Sequence, residues 1–130
     1  MDTITIRVGL WFKDWSKKVE DIQFKGRLLA KGQDADGYIH EVPMFQNKYW
    51  YHIYLTEDGK YLVRVYMHTV EYYFPDVADY AVVDELPGPK QELTGTVFGG
   101  PMAWVPDSVL NKAKRTLATF KEKEAKSCTL

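Results

Sequence analysis

The stretch YWYHIYLTEDGKYLVRVYMH, residues 49–68, decides the fold. Asp58-Gly59 lies between two alternating runs, a strong short-range signal for a β-hairpin. With Asp58 and Gly59 as the central pair of a two-residue turn, Leu55 faces Leu62, Ile53 faces Arg64 and Tyr51 faces Tyr66. Side chains alternate along a strand, so this register sorts the hairpin into two faces. One holds Trp50, His52, Tyr54, Val63, Val65 and Met67 and reads as core. The other holds Tyr51, Ile53, Leu55, Leu62, Arg64, Tyr66 and His68, with Tyr72 beyond, and mixes tyrosines with cationic groups. In this register His52 and His68 fall on opposite faces, so a metal site using both is not expected, whatever His40 does.

The same period extends outward. TITIRVGLWF, residues 3–12, alternates as a first strand, with Ile4, Ile6, Val8 and Leu10 on one side. KDWSKKVED is a connection with room for one helical turn. Strand two is expected over about 22–34 and strand three over about 38–42, joined at Asp36-Gly37. The intervening GQDADGYIHE invites a calcium reading, with Asp34 and Asp36 at loop positions 3 and 5. Gly32 at position 1 and Pro43 at position 12 supply no carboxylate, and the flanking pattern is strand, not helix. A hairpin turn is the expectation.

After the long hairpin Pro75 stops the ladder, because it has no N–H to donate. DYAVVDEL is expected as a short strand, LPGPK as a sharp loop and ELTGTVFGG as the last strand. A helix then starts near PDSV, where Asp107 or Ser108 can accept the first free N–H groups. Leu110, Ala113, Leu117 and Phe120 form one apolar stripe. It ends at Phe120, so the tail from about 121 is expected to project or fray. The fold class is α+β: a curved antiparallel sheet of about five to seven strands covered by one C-terminal helix, in a single domain over 1–130.

Composition narrows the functions. The chain has 130 residues and a net charge of −1, which recommends neither nucleic acid nor an acidic membrane as partner. Residues 112–126 are basic and the rest is acidic, a distribution that suits the negative end of the helix dipole. No run of 18 apolar residues is present, so no membrane span is expected. One cysteine, Cys128, permits no internal disulfide, and a reduced, cytoplasmic setting follows. The common signatures of nucleotide, zinc, hydrolase and redox sites are absent, and neither cofactor nor metal is expected. Glycine-rich TGTVFGGPM lacks the lysine and hydroxyl of a phosphate loop. Glu71, Asp76, Asp79, Asp84 and Glu85 crowd one segment and read as a solvated acidic loop.

Aromatic residues are the most informative feature, since eleven of the nineteen lie between Phe45 and Tyr80. Tyrosine and arginine are enriched where proteins meet partners. The expected function is therefore a small non-catalytic binding or regulatory protein that docks on another protein, as an adaptor or an inhibitor, phage-type inhibitors of host systems included. Tyr51, Arg64, Tyr66, His68 and Tyr72 are the candidate contact residues. The alternative is an aromatic pocket between sheet and helix, in a carrier or a cyclase- or isomerase-like enzyme that binds a small apolar ligand. There Arg64, Tyr66 and His68 would orient the ligand or move protons.

Overall fold

In the computed structural model the backbone is described for residues 1–35, 38–39, 42–43, 48–69 and 73–128, and side chains for 1–33, 48–69 and 73–123. The elements in chain order are β1 (Asp2–Trp11), β2 (Lys17–Ala35), β3 (Tyr38–Ile39), β4 (Val42–Pro43), β5 (Lys48–Thr56), β6 (Tyr61–His68), β7 (Asp76–Val83) and α1 (Asp107–Cys128). This is an α+β chain with an antiparallel sheet and one C-terminal helix. The sheet closes on itself as a barrel in the order β1-β2-β5-β6-β7, with β7 returning to β1, while β3 and β4 pair separately.

Closure follows from the length of β2. Its first half pairs with β1, from Lys17 opposite Trp11 to Gly26 opposite Asp2. Its second half pairs with β5, from Gly26 opposite Thr56 to Ala35 opposite Lys48. One strand thus serves two neighbours in succession and turns the corner between them. A bulge between Leu28 and Ala30 helps, because an extra residue bends the strand and raises its twist. It also leaves two consecutive residues, Leu29 and Ala30, buried. The partner expected for strand two was the short strand after it. Instead β3 pairs with β4, and the longer, aromatic-rich β5 takes the edge of β2. The Asp36-Gly37 turn and the side chain of Asp34 lie outside the described residues.

The central hairpin has a different register from the expected one. His52 faces Arg64, Tyr51 faces Val65 and Trp50 faces Tyr66. The turn is one residue longer than Asp58-Gly59 suggests. Thr56 N–H donates to Lys60 O at 2.8 Å and Gly59 N–H donates to Thr56 O at 3.0 Å, enclosing Glu57, Asp58 and Gly59. Gly59 has φ +83°, the left-handed third residue of the usual three-residue hairpin loop. Thr56 Oγ1 braces it, donating to Asp58 and accepting the Lys60 N–H at 3.0 Å. A slip of one residue moves one strand's whole side-chain set to the other face.

Two apolar clusters result. Inside the barrel, all five strands contribute to a group built on Ile6, Val8, Leu62 and Ala78, with Ile22, Phe24, Tyr54, Tyr66 and Tyr80 around it. Outside, Tyr49, Tyr51, Ile53, Val63, Val65 and Ala81 pack beneath Val109, Leu110 and Ala113 of the helix. The helix rests on β2, where a side chain at Gly32 would come within 2.5 Å of Val109 Cγ2. The stripe's last residue, Phe120, carries the Arg27 guanidinium 4.4 Å above its ring, and residues 121–123 are exposed. Beyond Phe120 the chain stays helical to Cys128. The expected last strand is instead a tight turn. Thr94 bridges Pro101, and the Val97 and Phe98 N–H groups donate to Asp79 at 2.9 and 3.0 Å.

Leu110 is fully packed and Leu117 only partly covered. Leu110→Ala should therefore destabilise the fold by about 2–5 kcal/mol, the range for large-to-small core changes. Leu117→Ala should cost clearly less. Urea denaturation of both variants checks the order, and equal losses would place the helix differently from this account.

Candidate functional site

β1 and β7 pair only from Gly9 to Trp11 and from Ala78 to Asp76. The chain leaving Trp11 (residues 12–16) and the chain entering Asp76 (residues 73–75) therefore emerge at the same end of the barrel. Lys48 opposite His68 brings the start of β5 and the end of β6 to that end too.

Asp76 holds the two loops together. Its Oδ1 accepts from Thr69 N–H at 2.9 Å and from the Lys13 ammonium at 3.0 Å. Its Oδ2 accepts the Tyr66 hydroxyl at 2.7 Å and lies 3.0 Å from His68 Nδ1. Lys13 also donates to Thr69 O at 2.5 Å, so one lysine spans from the β1–β2 turn to the β6–β7 loop. Burial pushes the Asp76 carboxyl up, but the Thr69 N–H, the Tyr66 hydroxyl, His68 and Lys13 outweigh it and hold it at about 2. Burial, then the bond to Asp76 and its charge, push the Tyr66 phenol well above its usual range. At neutral pH the carboxylate is thus ionised and the phenol is a neutral donor.

Around this hub the rings interlock. Tyr66 meets Trp11 edge-on at 5.4 Å and Trp50 at 5.6 Å, and Trp50 meets His68 at 6.5 Å. Arg64 lies 5.7 Å from the Tyr66 ring and donates through Nε and Nη2 to the Arg7 carbonyl at 2.9 and 2.6 Å. That carbonyl sits just past the last β1–β7 pair, so Arg64 fastens the seam where β1 leaves β7. His52, opposite Arg64, stacks on Tyr54 at 6.2 Å. Burial, with Arg64 and Lys31 nearby, lowers its pKa, and its Nδ1 is buried with no hydrogen-bond partner among the described residues.

Of the candidate contact residues, the structure brings Arg64, Tyr66 and His68 together on one face. Tyr51 does not join them. It is fully buried beneath the helix, because the longer turn moves β5 by one place. The same shift puts His52 and His68 on one face rather than two. Tyr72 lies outside the described residues. Asp76 and Asp79 are not part of a solvated loop: both are buried in β7, and Asp79 is occupied by backbone N–H groups.

Three residues at the same end went unmarked in the sequence. Trp15 is 95% exposed, Tyr73 88% and Phe74 56%. Their signal was context: a tryptophan inside the polar run KDWSKK, and two aromatics just ahead of Pro75, which precedes β7. Lys13 and Asp76 join the two loops that carry them. Among the described residues, two cavities lie elsewhere. One, of about 130 Å³, lies between β5–β7 and the 98–103 segment. The other, of about 590 Å³, is an open cleft at the opposite end, walled by Ile22, Phe24, Leu62, Tyr80 and Val82. Neither is lined by Arg64, Tyr66 or His68. No protein-family model, curated protein or solved structure matches this chain, so its site is read from geometry. Among the described residues no helix is long and apolar enough to cross a membrane.

Asp76→Asn should destabilise the fold by about 1–3 kcal/mol near pH 6, because four donors share that carboxylate. The carboxyl is more acidic when folded, at about 2, than its ordinary 3.8. Its contribution is therefore complete above about pH 4 and is lost as pH falls through about 2. Urea titrations at several pH values should show the gap between wild type and variant closing over that window. A gap independent of pH would remove the carboxylate from the centre of the network.

Proposed function

We propose that the chain is a non-catalytic binding protein that docks on another protein through the end of the barrel carrying Trp15, Tyr73 and Phe74. The observation that carries this reading is the exposure of three large aromatics, 95%, 88% and 56%, on two loops tied together by Lys13 and Asp76. Large exposed apolar side chains are unfavourable in a free molecule and mark contact sites when grouped. Preorganised loops lose less entropy on binding. Arg64, Tyr66 and His68 support this end from within, through the Arg7 carbonyl and Asp76, so they shape the surface more than they form it.

An adaptor or an inhibitor working by contact in a reducing, cytoplasmic setting fits this reading, and a phage-type inhibitor of a host system is one form of it. The pocket alternative draws less support. The space between sheet and helix is filled by Tyr51, Ile53, Val109 and Leu110, and the larger cleft opens at the other end.

Immobilised wild type should retain a defined protein from a cell extract. The double variant Tyr73→Ala with Phe74→Ala should lose it while melting within about 2 °C of wild type, since exposed substitutions rarely move stability by more than about 0.5 kcal/mol. Equal recovery by both chains would sink the reading.

A further inference from the structure

The turn that carries Trp15 has the same build as the turn that carries Gly59. Phe12 N–H donates to Ser16 O at 2.9 Å and Trp15 N–H donates to Phe12 O at 3.1 Å. Thr56, Gly59 and Lys60 repeat that pattern at 2.8 and 3.0 Å. Both are three-residue hairpin loops whose third residue takes a left-handed backbone. In one that residue is Gly59 at φ +83°, and in the other it is Trp15 at φ +72°. Glycine adopts this conformation freely, whereas for a bulky residue it is a genuine outlier. The indole recovers nothing by burial, being 95% exposed. Trp15 therefore works against the stability of the free chain through its backbone, with no burial of its ring to offset the strain. Strain of this kind persists where it serves a site.

The turn is also stiffened. Asp14 Oδ1 accepts the Ser16 N–H at 2.9 Å as well as the Ser16 hydroxyl, and Lys13 is anchored on Asp76. The indole is thus held out on a rigid stem, which suits a shaped pocket better than a fluid surface. With the Asp14 carboxylate turned back on Ser16 and Lys13 taken up by Asp76, the exposed cationic residues following Trp15 are Lys17, whose charge also reaches Asp21, and Lys18 on the alternate face of β2.

We infer that Trp15 is the anchor of the docking end, and that its partner is a protein offering an indole-sized apolar pocket rimmed by carboxylates. This rests on the docking reading above and adds the residue and the chemistry of what it enters. Tryptophan is among the residues that most often dominate an interface, and the two lysines give the approach its direction.

The test compares full-length wild type with Trp15→Gly, Trp15→Ala and the double variant Lys17→Glu with Lys18→Glu. The protein recovered by wild type from extract is purified and titrated against each. Both Trp15 variants should bind it at least about thirtyfold more weakly. The lysine variant should associate more slowly at low salt, with the difference shrinking as salt rises. Trp15→Gly should melt above wild type, by on the order of 2–4 °C, and Trp15→Ala should melt below Trp15→Gly, because alanine keeps the strained backbone. Unchanged binding by Trp15→Gly overturns the anchor, and a Trp15→Gly variant that melts below wild type overturns the claim that the indole is held against stability. Vesicles of phosphatidylcholine and phosphatidylserine that blue-shift wild-type tryptophan emission, an effect lost in Trp15→Gly, would assign the ring to a membrane instead. Wild type that recovers no protein at all defeats the docking reading itself, and the inference with it, whatever the melts show.

Discussion

Gly59, at φ +83°, sets which side chains of the barrel share a face. A left-handed third residue makes the β5–β6 loop three residues long, and that length fixes the register of the two central strands. From the register follows the division of labour. Tyr51 and Ile53 go beneath the helix with Val63 and Val65. Trp50, His52 and Tyr54 go to the inner side with Arg64 and Tyr66. In the other register the Tyr66 hydroxyl and Trp50 would lie on opposite faces, and the cluster around Asp76 could not form as it does.

The second constraint is polar. A barrel whose β1–β7 seam is only three pairs long leaves backbone groups to satisfy where the strands part. Arg64 donates to one of them at Arg7, and Asp76 gathers four donors at the seam's end. Buried carboxylates are tolerated when their oxygens are fully used, and both Asp76 and Asp79 meet that condition. They do different work. Asp79 pins the 95–99 turn over β7, while Asp76 joins the β1–β2 turn to the β6–β7 loop. The exposed aromatics stand on the parts Asp76 joins, so a core interaction positions a surface.

Much of this was legible in the residues. The alternation in TITIRVGLWF and in 49–68, the Asp58-Gly59 turn and the helix stripe up to Phe120 each mark a real element, whereas β6 ends at His68, well before Pro75, which directly precedes β7. What escaped had physical causes. Asp-Gly is compatible with loops of two or three residues, and the choice between them rests on Thr56 bracing the turn, an effect of the folded backbone. Closure of the sheet depends on a 19-residue β2 bending at its bulge, and no local pattern reports which strand will accept its second half. Arg64, Tyr66 and His68 stood out by composition, yet the Asp76 that Tyr66 and His68 meet is also held by Lys13, 63 residues away, and Arg64 meets the Arg7 carbonyl, 57 residues away. Trp15 looked like part of a polar connection, because nothing in KDWSKK announces a left-handed backbone.

The register of the central hairpin underlies the rest of the structure, and cross-strand nuclear Overhauser contacts in β5 and β6 test it most directly. The predicted result is backbone proximity of His52 to Arg64, Tyr51 to Val65 and Trp50 to Tyr66, with a three-residue loop at 57–59. Contacts pairing Ile53 with Arg64 and Tyr51 with Tyr66 would contradict it. Tyr51 would then share a face with Tyr66, and both the network on Asp76 and the end it supports would have to be redrawn.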